Sequence, residues 1–74
     1  MYYVYLFKNK KLDTTYIGYT NDLKRRLKEH VAKTPKLVYY EAFKSEKDAR
    51  KRERMLKQGQ TVRRLKERLI NSLN

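Results

Sequence analysis

Two short runs rich in aromatic and β-branched residues, Tyr2-Tyr3-Val4-Tyr5-Leu6-Phe7 and Thr14-Thr15-Tyr16-Ile17-Gly18-Tyr19, flank a polar stretch from Asn9 to Asp13. Residues of these types favour strands. A run apolar at both phases reads as a strand buried on both faces, and the short connection favours an antiparallel hairpin. A register that sets Tyr5 opposite Tyr16 also sets Phe7 opposite Thr14 and Val4 opposite Ile17. Both tyrosines then leave one face of the sheet, with Val4 and Ile17 on the other.

The rest of the chain alternates helix and strand. Thr20 or Asn21 can cap a first helix over 21–31, whose apolar residues are Leu23, Leu27 and Val31. After a loop ending at Pro35, Leu37 to Phe43 reads as a third strand. Ser45-Glu46-Lys47-Asp48 has the form of a capping box, so a second helix starts there. It turns Ala49 and Leu56 inward and stops near Gly59, a residue suited to the position just past a helix. Thr61 can cap a last helix with Val62, Leu65, Leu69 and Leu73 on one stripe. The expected fold is α+β: a three-stranded antiparallel sheet packed by helices, in the order ββαβαα, forming one domain over residues 1–74.

A chain of 74 residues buries only about 60% of its unfolded surface. Its core is expected to be one thin layer, and any active site an open groove suited to a polymer. Lys and Arg total 20 against 8 Asp and Glu, a formal net charge of +12, and residues 44–69 hold 11 of the 20. Such a balance points to an anionic partner, nucleic acid first, because neutralising phosphates releases counterions. The bland alternative is a solvated, strongly charged surface. A membrane surface fits less well, since the basic helices lack Trp or Phe on their apolar faces. The chain has no cysteine, which excludes disulfides and thiolate zinc sites, and one histidine argues against a His-rich metal site. The apolar start ends at Lys8, too soon for a signal peptide or a membrane span. A soluble, cytoplasmic protein is expected.

Helical phase singles out the polar residues that face inward. With Leu23 as zero, Leu27 falls at about +40°, His30 at about −20° and Arg26 at about −60°. His30 thus lies in the apolar stripe and Arg26 on its edge, while Arg25 points away. On the second helix, with Ala49 as zero, Leu56 falls at about −20° and Glu53 at about +40°. Glu53 is also the only acid between Arg50 and Lys57, and a carboxylate turned inward there is costly unless paired or bound to a cation. Each has an ordinary reading as well: a packed core histidine, a solvated arginine, an i,i+4 ion pair from Glu53 to Lys57. Most of the seven tyrosines must be packing; Tyr2, Tyr3, Tyr39 and Tyr40 read as sheet residues with the hydroxyl at the edge.

Taken together, these segments resemble the GIY-YIG nuclease family, in its small single-domain branch. Tyr3-Val4-Tyr5 stands at the GIY element and Tyr16-Ile17-Gly18 at the YIG element; the segment from Thr20 to His30 is similar to the family's helix bearing Arg and His one turn apart. Lys36 to Phe43 looks like its third strand, and Ala49 to Lys57 like the helix carrying its metal-binding Glu. Two departures stand out. Tyr3 replaces the first glycine, and the family's late Asn has no placed equivalent, since Asn71 and Asn74 lie in the tail. The resemblance implies a metal-dependent endonuclease that hydrolyses phosphodiester bonds of DNA, with repair or recombination as its setting. It implies catalytic Tyr5, Tyr16, Arg26, His30 and Glu53, with Glu53 holding one Mg²⁺ or Mn²⁺. Arg25, Lys57, Arg63, Arg64 and Lys66 are the expected contacts to the nucleic-acid backbone. The expected partner is DNA, branched or damaged forms included; no membrane is implied, and no oligomeric state. Larger relatives add a DNA-recognition domain, so targeting here is expected to fall to the basic helices or to a protein partner. A catalytically inactive nucleic-acid-binding domain on the same fold is the alternative.

Overall fold

A computed structural model describes residues 1–9, 11–29 and 36–73 of the chain. Strands β1 (Tyr2–Asn9) and β2 (Thr14–Thr20) are followed by helix α1 (Leu23–Glu29) and strand β3 (Lys36–Phe43). Helices α2 (Glu46–Leu56), α3 (Gly59–Arg68) and the single turn α4 (Ile70–Leu73) complete it. The sheet is antiparallel in the order β2-β1-β3. β1 is therefore central, and Val4, Tyr5, Leu6 and Phe7 are all buried, as a strand apolar at both phases requires.

The hairpin register differs from the expected one by two residues. Tyr5 faces Gly18, Phe7 faces Tyr16 and Val4 faces Tyr19. The pairing runs out to Asn9 opposite Thr14, which a tight turn permits. Asp13 takes the left-handed conformation at φ 51°, Asn9 accepts from the backbone N–H of Leu12, and Lys8 holds Asp13 at 2.6 Å. A slip of one residue would have exchanged the faces; a slip of two leaves every side chain on its face.

One face is closed by α2 and α3. Val4, Leu6 and Ile17 meet Ala49, Leu56 and Leu65 in the core, with Val62, Leu69 and Leu73 packed around them. The pairing of β1 with β3 shifts between Leu6 and Phe7, and Val38, the extra residue there, joins the core margin. The molecule measures 33 × 30 × 17 Å, the thin single layer expected of so short a chain. Among the described residues no helix is long and apolar enough to cross a membrane.

Polar ties hold the helices in place. Arg52 grips Glu41 of β3 in a forked pair, Nε to both carboxylate oxygens at 3.0 and 3.1 Å and Nη2 to Oε2 at 3.1 Å. The Tyr39 hydroxyl donates to the same carboxylate at 2.8 Å. On the other flank, the Tyr19 hydroxyl of β2 donates to Glu46 at 2.7 Å, and Arg50 lies 4.5 Å over the Tyr19 ring.

Several helix ends depart from expectation. α1 begins at Leu23, and its cap is Asp22, whose Oδ1 accepts from Arg25 N at 3.0 Å. Thr20 instead folds back on the Asp22 backbone. Ser45 caps α2 as expected, accepting from Asp48 N. Gly59 is not a left-handed terminator: no glycine has positive φ, and Gly59 opens α3 behind Gln58. Thr61 therefore lies inside α3 rather than capping it. The last stripe is interrupted at Leu69, which ends α3, yet Leu65, Leu69 and Leu73 still reach the core.

Candidate active site

The sheet face opposite α2 carries a cluster built around Tyr5. Its ring crosses from the central strand onto β2 and lies over Gly18. A methyl at Gly18 would fall within 2.7 Å of Tyr5 Cε1 and closer still to Cζ and the hydroxyl oxygen. Only glycine leaves room for the phenol there. Where the ring ends, the Tyr5 hydroxyl accepts a hydrogen bond from Arg26 Nε at 2.9 Å. Arg26 Nη1 donates to Glu29 at 3.0 Å, so the guanidinium is held from two sides. The Tyr16 ring sits 6.2 Å from that of Tyr5 and is 52% exposed. Tyr5 is 2% exposed, and the ring of Phe7, the cross-strand partner of Tyr16, packs on it at 4.9 Å.

Electrostatics follow from this packing. Burial raises the Tyr5 hydroxyl above the ordinary tyrosine value, and the Arg26 guanidinium opposes that rise. Arg26 is held still more firmly protonated, first by its bond to Tyr5 and then by Glu29. At neutral pH the pair is thus a neutral phenol beside a fixed cation. With its side chain one-third exposed, at 33%, Arg26 can offer positive charge to an anion arriving from solvent.

Glu53 comes from the other side of the sheet. It is half-buried, as its helical phase predicts, and its Oε2 pairs with Lys57 Nζ at 3.3 Å. With Ala49 as zero, Glu46 and Arg50 lie at about +60° and +100° and Arg52 at about −60°. The first two reach Tyr19 on β2, whereas Arg52 reaches Glu41 on β3. Glu53, at about +40°, belongs to the β2-facing flank of α2. Tyr5, Arg26 and Tyr16 approach the edge strand β2 from one face, and Glu53 from the opposite flank. The structure joins Tyr5, Arg26 and Tyr16 directly, and Glu53 with Lys57 separately. His30 lies outside the described residues, as does Asn74.

The expected backbone contacts lie on separate surfaces. Arg25 is exposed, 3.9 Å from Glu29. Arg63 and Arg64 are exposed on α3 and line a shallow groove with Gln60 and Glu67. Lys66 is partly covered and near enough to the hairpin turn to help lower the Asp13 carboxyl, after the larger effect of Lys8. Sequence reasoning missed Glu29, although its position three residues after Arg26 and four after Arg25 is the spacing of helical ion pairs. It also missed the Glu41–Arg52 fork, for which separation in sequence gives no signal.

The family model of the GIY-YIG catalytic domain matches residues 1–66. A UPF0213 protein of Clostridium perfringens (strain 13 / Type A) is 37% identical over 82 aligned positions, covering 97% of this chain and 85% of the relative. No solved structure matches the chain.

Proposed function

The chain belongs to the GIY-YIG catalytic domain family, a nuclease family, and from that premise we propose that it is a metal-dependent endonuclease hydrolysing phosphodiester bonds of DNA. The observation that carries the reading is the hydrogen bond from Arg26 to the Tyr5 hydroxyl over Gly18. A buried phenol bonded to an arginine whose side chain stays 33% exposed sets a fixed cation at the surface beside the hydroxyl. That arrangement suits an anion that arrives with an attacking water.

Arg26 places its charge where negative charge grows on the phosphate in the transition state. Glu29 keeps that guanidinium oriented. Tyr5 is a poor base at neutral pH, since burial raises it; it positions the attacking water and relays its proton, with His30 as the proposed acceptor. Tyr16, half exposed beside it, orients water or a phosphate oxygen. Arg25, Lys57, Arg63, Arg64 and Lys66 are proposed to track the backbone.

Glu53 is the proposed ligand of one Mg²⁺ or Mn²⁺. Its Oε2 faces Lys57, and its Oε1 has no protein partner among the described residues. One carboxylate oxygen suits a hard cation that keeps most of its waters. When bound, the ion supplies positive charge at a phosphoryl oxygen and at the leaving 3′ oxygen.

The Glu53–Lys57 ion pair favours a second reading, a nucleic-acid binder without catalysis. Nicking of supercoiled plasmid and cutting of branched oligonucleotides in Mg²⁺ separate the two. Under the nuclease reading, the parent cuts and Glu53→Gln loses cleavage while keeping or improving DNA binding. A Glu53→Gln protein that cuts at the parent rate would place the metal elsewhere. A parent that binds and never cuts supports the binder.

A further inference from the structure

The sheet face that carries Tyr5 holds a second aromatic feature. Tyr3 and Tyr40 meet edge to face, with ring centroids 6.1 Å apart at 61°. Tyr40 is 51% exposed and is the cross-strand neighbour of Tyr5. With Leu23 and Leu27 of α1, the two rings wall an open groove of about 340 Å³, and Asn21 and Lys24 stand at its rim. That volume is at the lower end of the range for small-molecule sites. Among the described residues the hydroxyls of Tyr3 and Tyr40 have no hydrogen-bond partner, nor do the side chains of Asn21 and Lys24. Asp22 also lines the groove, its Oδ1 engaged in capping α1.

We propose that this groove is a nucleobase subsite: an unpaired base stacks against Tyr40 and Tyr3, and Lys24 takes the phosphate attached to it. The proposal rests on the nuclease reading and narrows its substrate class. Aromatic faces bind any base by stacking, with a cation beside them for the backbone. The net charge of +12 favours a polyanion over an apolar peptide. α1 supplies Arg26 to the Tyr5 site and Leu23 and Leu27 to the groove, so the base held here belongs to a nucleotide next to the phosphate at Arg26. A base inside a duplex offers no free face; the substrate therefore has an unpaired nucleotide at the cut. Asn21 offers an amide donor and acceptor to the base edge. Tyr3 stands where the GIY element has glycine, and its ring is one wall of the groove.

The test is equilibrium binding without divalent metal, on a short oligothymidylate and on a duplex of equal length. Tyr40→Ala should weaken single-strand binding about 10-fold or more and leave duplex binding nearly unchanged. The salt slope should stay the same, because no phosphate contact is removed. Tyr40→Phe, which keeps the ring, should bind like the parent. Tyr40 is half exposed, so the variant is expected to fold, and circular dichroism checks this. Single-strand binding unchanged by Tyr40→Ala, or equal losses on both ligands, would overturn the subsite. So would a change from dimer to monomer with binding unaltered, which would assign the groove to a second copy of the chain. No cleavage is read here, so an inactive parent that shows the Tyr40 effect would sink the nuclease reading and leave the subsite standing.

Discussion

Gly18 and Gly59 are the two glycines of the chain, and alanine should act on them with opposite sign. Neither has positive φ, so backbone strain does not enter. Gly18 lies opposite Tyr5 on β2, and an added methyl would run into Tyr5 Cε1 at 2.7 Å and into Cζ and the hydroxyl more closely. The ring has nowhere to go. It is 2% exposed, packed against the rings of the neighbouring pair Phe7 and Tyr16, and tied to Arg26 at 2.9 Å. Overpacking of this kind costs about 1–3 kcal/mol. Breaking the Arg26 bond adds about 1–2 kcal/mol. The stiffer unfolded chain returns about 0.4–1 kcal/mol. Gly18→Ala should therefore lose about 1–5 kcal/mol, and a loss of about 2 kcal/mol lowers Tm by roughly 8–16 °C in a domain of this size. At Gly59 nothing lies within 4 Å of the added atom, and the residue opens α3; Gly59→Ala should gain about 0.4–1 kcal/mol. Urea and thermal melts of the two variants measure both effects. A Gly18→Ala protein as stable as the parent would refute the claim that Tyr5 is fixed over that glycine, and with it the basis for a pre-set Tyr5–Arg26 pair.

Further outcomes follow from the same geometry. Tyr16→Phe should leave Tm unchanged, because the ring is half exposed, whereas Tyr5→Phe should cost about 1–2 kcal/mol through its lost bond to Arg26; cleavage should fall about 100-fold or more in each, and parent activity in both would end their catalytic assignment. Glu41→Gln weakens the fork to Arg52 and should cost about 1–3 kcal/mol, read by melting, with no change in DNA affinity. Tyr5 and Tyr39 are both raised above the ordinary tyrosine value, chiefly by burial, so the folded state holds these protons more tightly than the unfolded chain. Their contribution is complete below pH of about 10 and is lost as pH rises beyond it; the alkaline fall in stability should be shallower in Tyr39→Phe. Duplex DNA binding should weaken with salt by a log–log slope of roughly −0.9 per phosphate contacted, and a flat dependence would remove nucleic acid as the main partner.

The order of strands and helices could be read from the sequence because each element carried its own period and its own punctuation. The run from Tyr2 to Phe7, apolar at both phases, is the central strand, and Ser45 caps α2 as its sequence suggests. The inward phase of Glu53 was legible for the same reason. Ends set by backbone detail were not. Nothing local distinguishes a glycine that ends a helix from one that opens the next, so Gly59 was misread. Asp22 outcompeted Thr20 and Asn21 as the cap of α1, a choice made among three adjacent cap formers. The hairpin register hung on Asp13 adopting positive φ, which the sequence permits without requiring. The Tyr5–Arg26 bond needed both the register and the position of α1 over the sheet, so the resemblance to a family could set both residues in one site but not pair them.

The two halves of the candidate site make chemical sense together only at the edge of the sheet. Tyr5 starts on the central strand, yet its ring spans one inter-strand spacing, about 4.8 Å, to lie over Gly18 on β2. Tyr16 is already on β2. α2 tilts its Glu46–Arg50 flank to the same strand through Tyr19, and Glu53 shares that flank. A molecule 17 Å thick cannot enclose a substrate. It can present one edge strand to a phosphodiester backbone and reach around it from both faces. That arrangement would also use an edge that otherwise invites pairing with a foreign strand. In this geometry Gly18 is what lets the phenol cross β2 and meet Arg26 at its far edge.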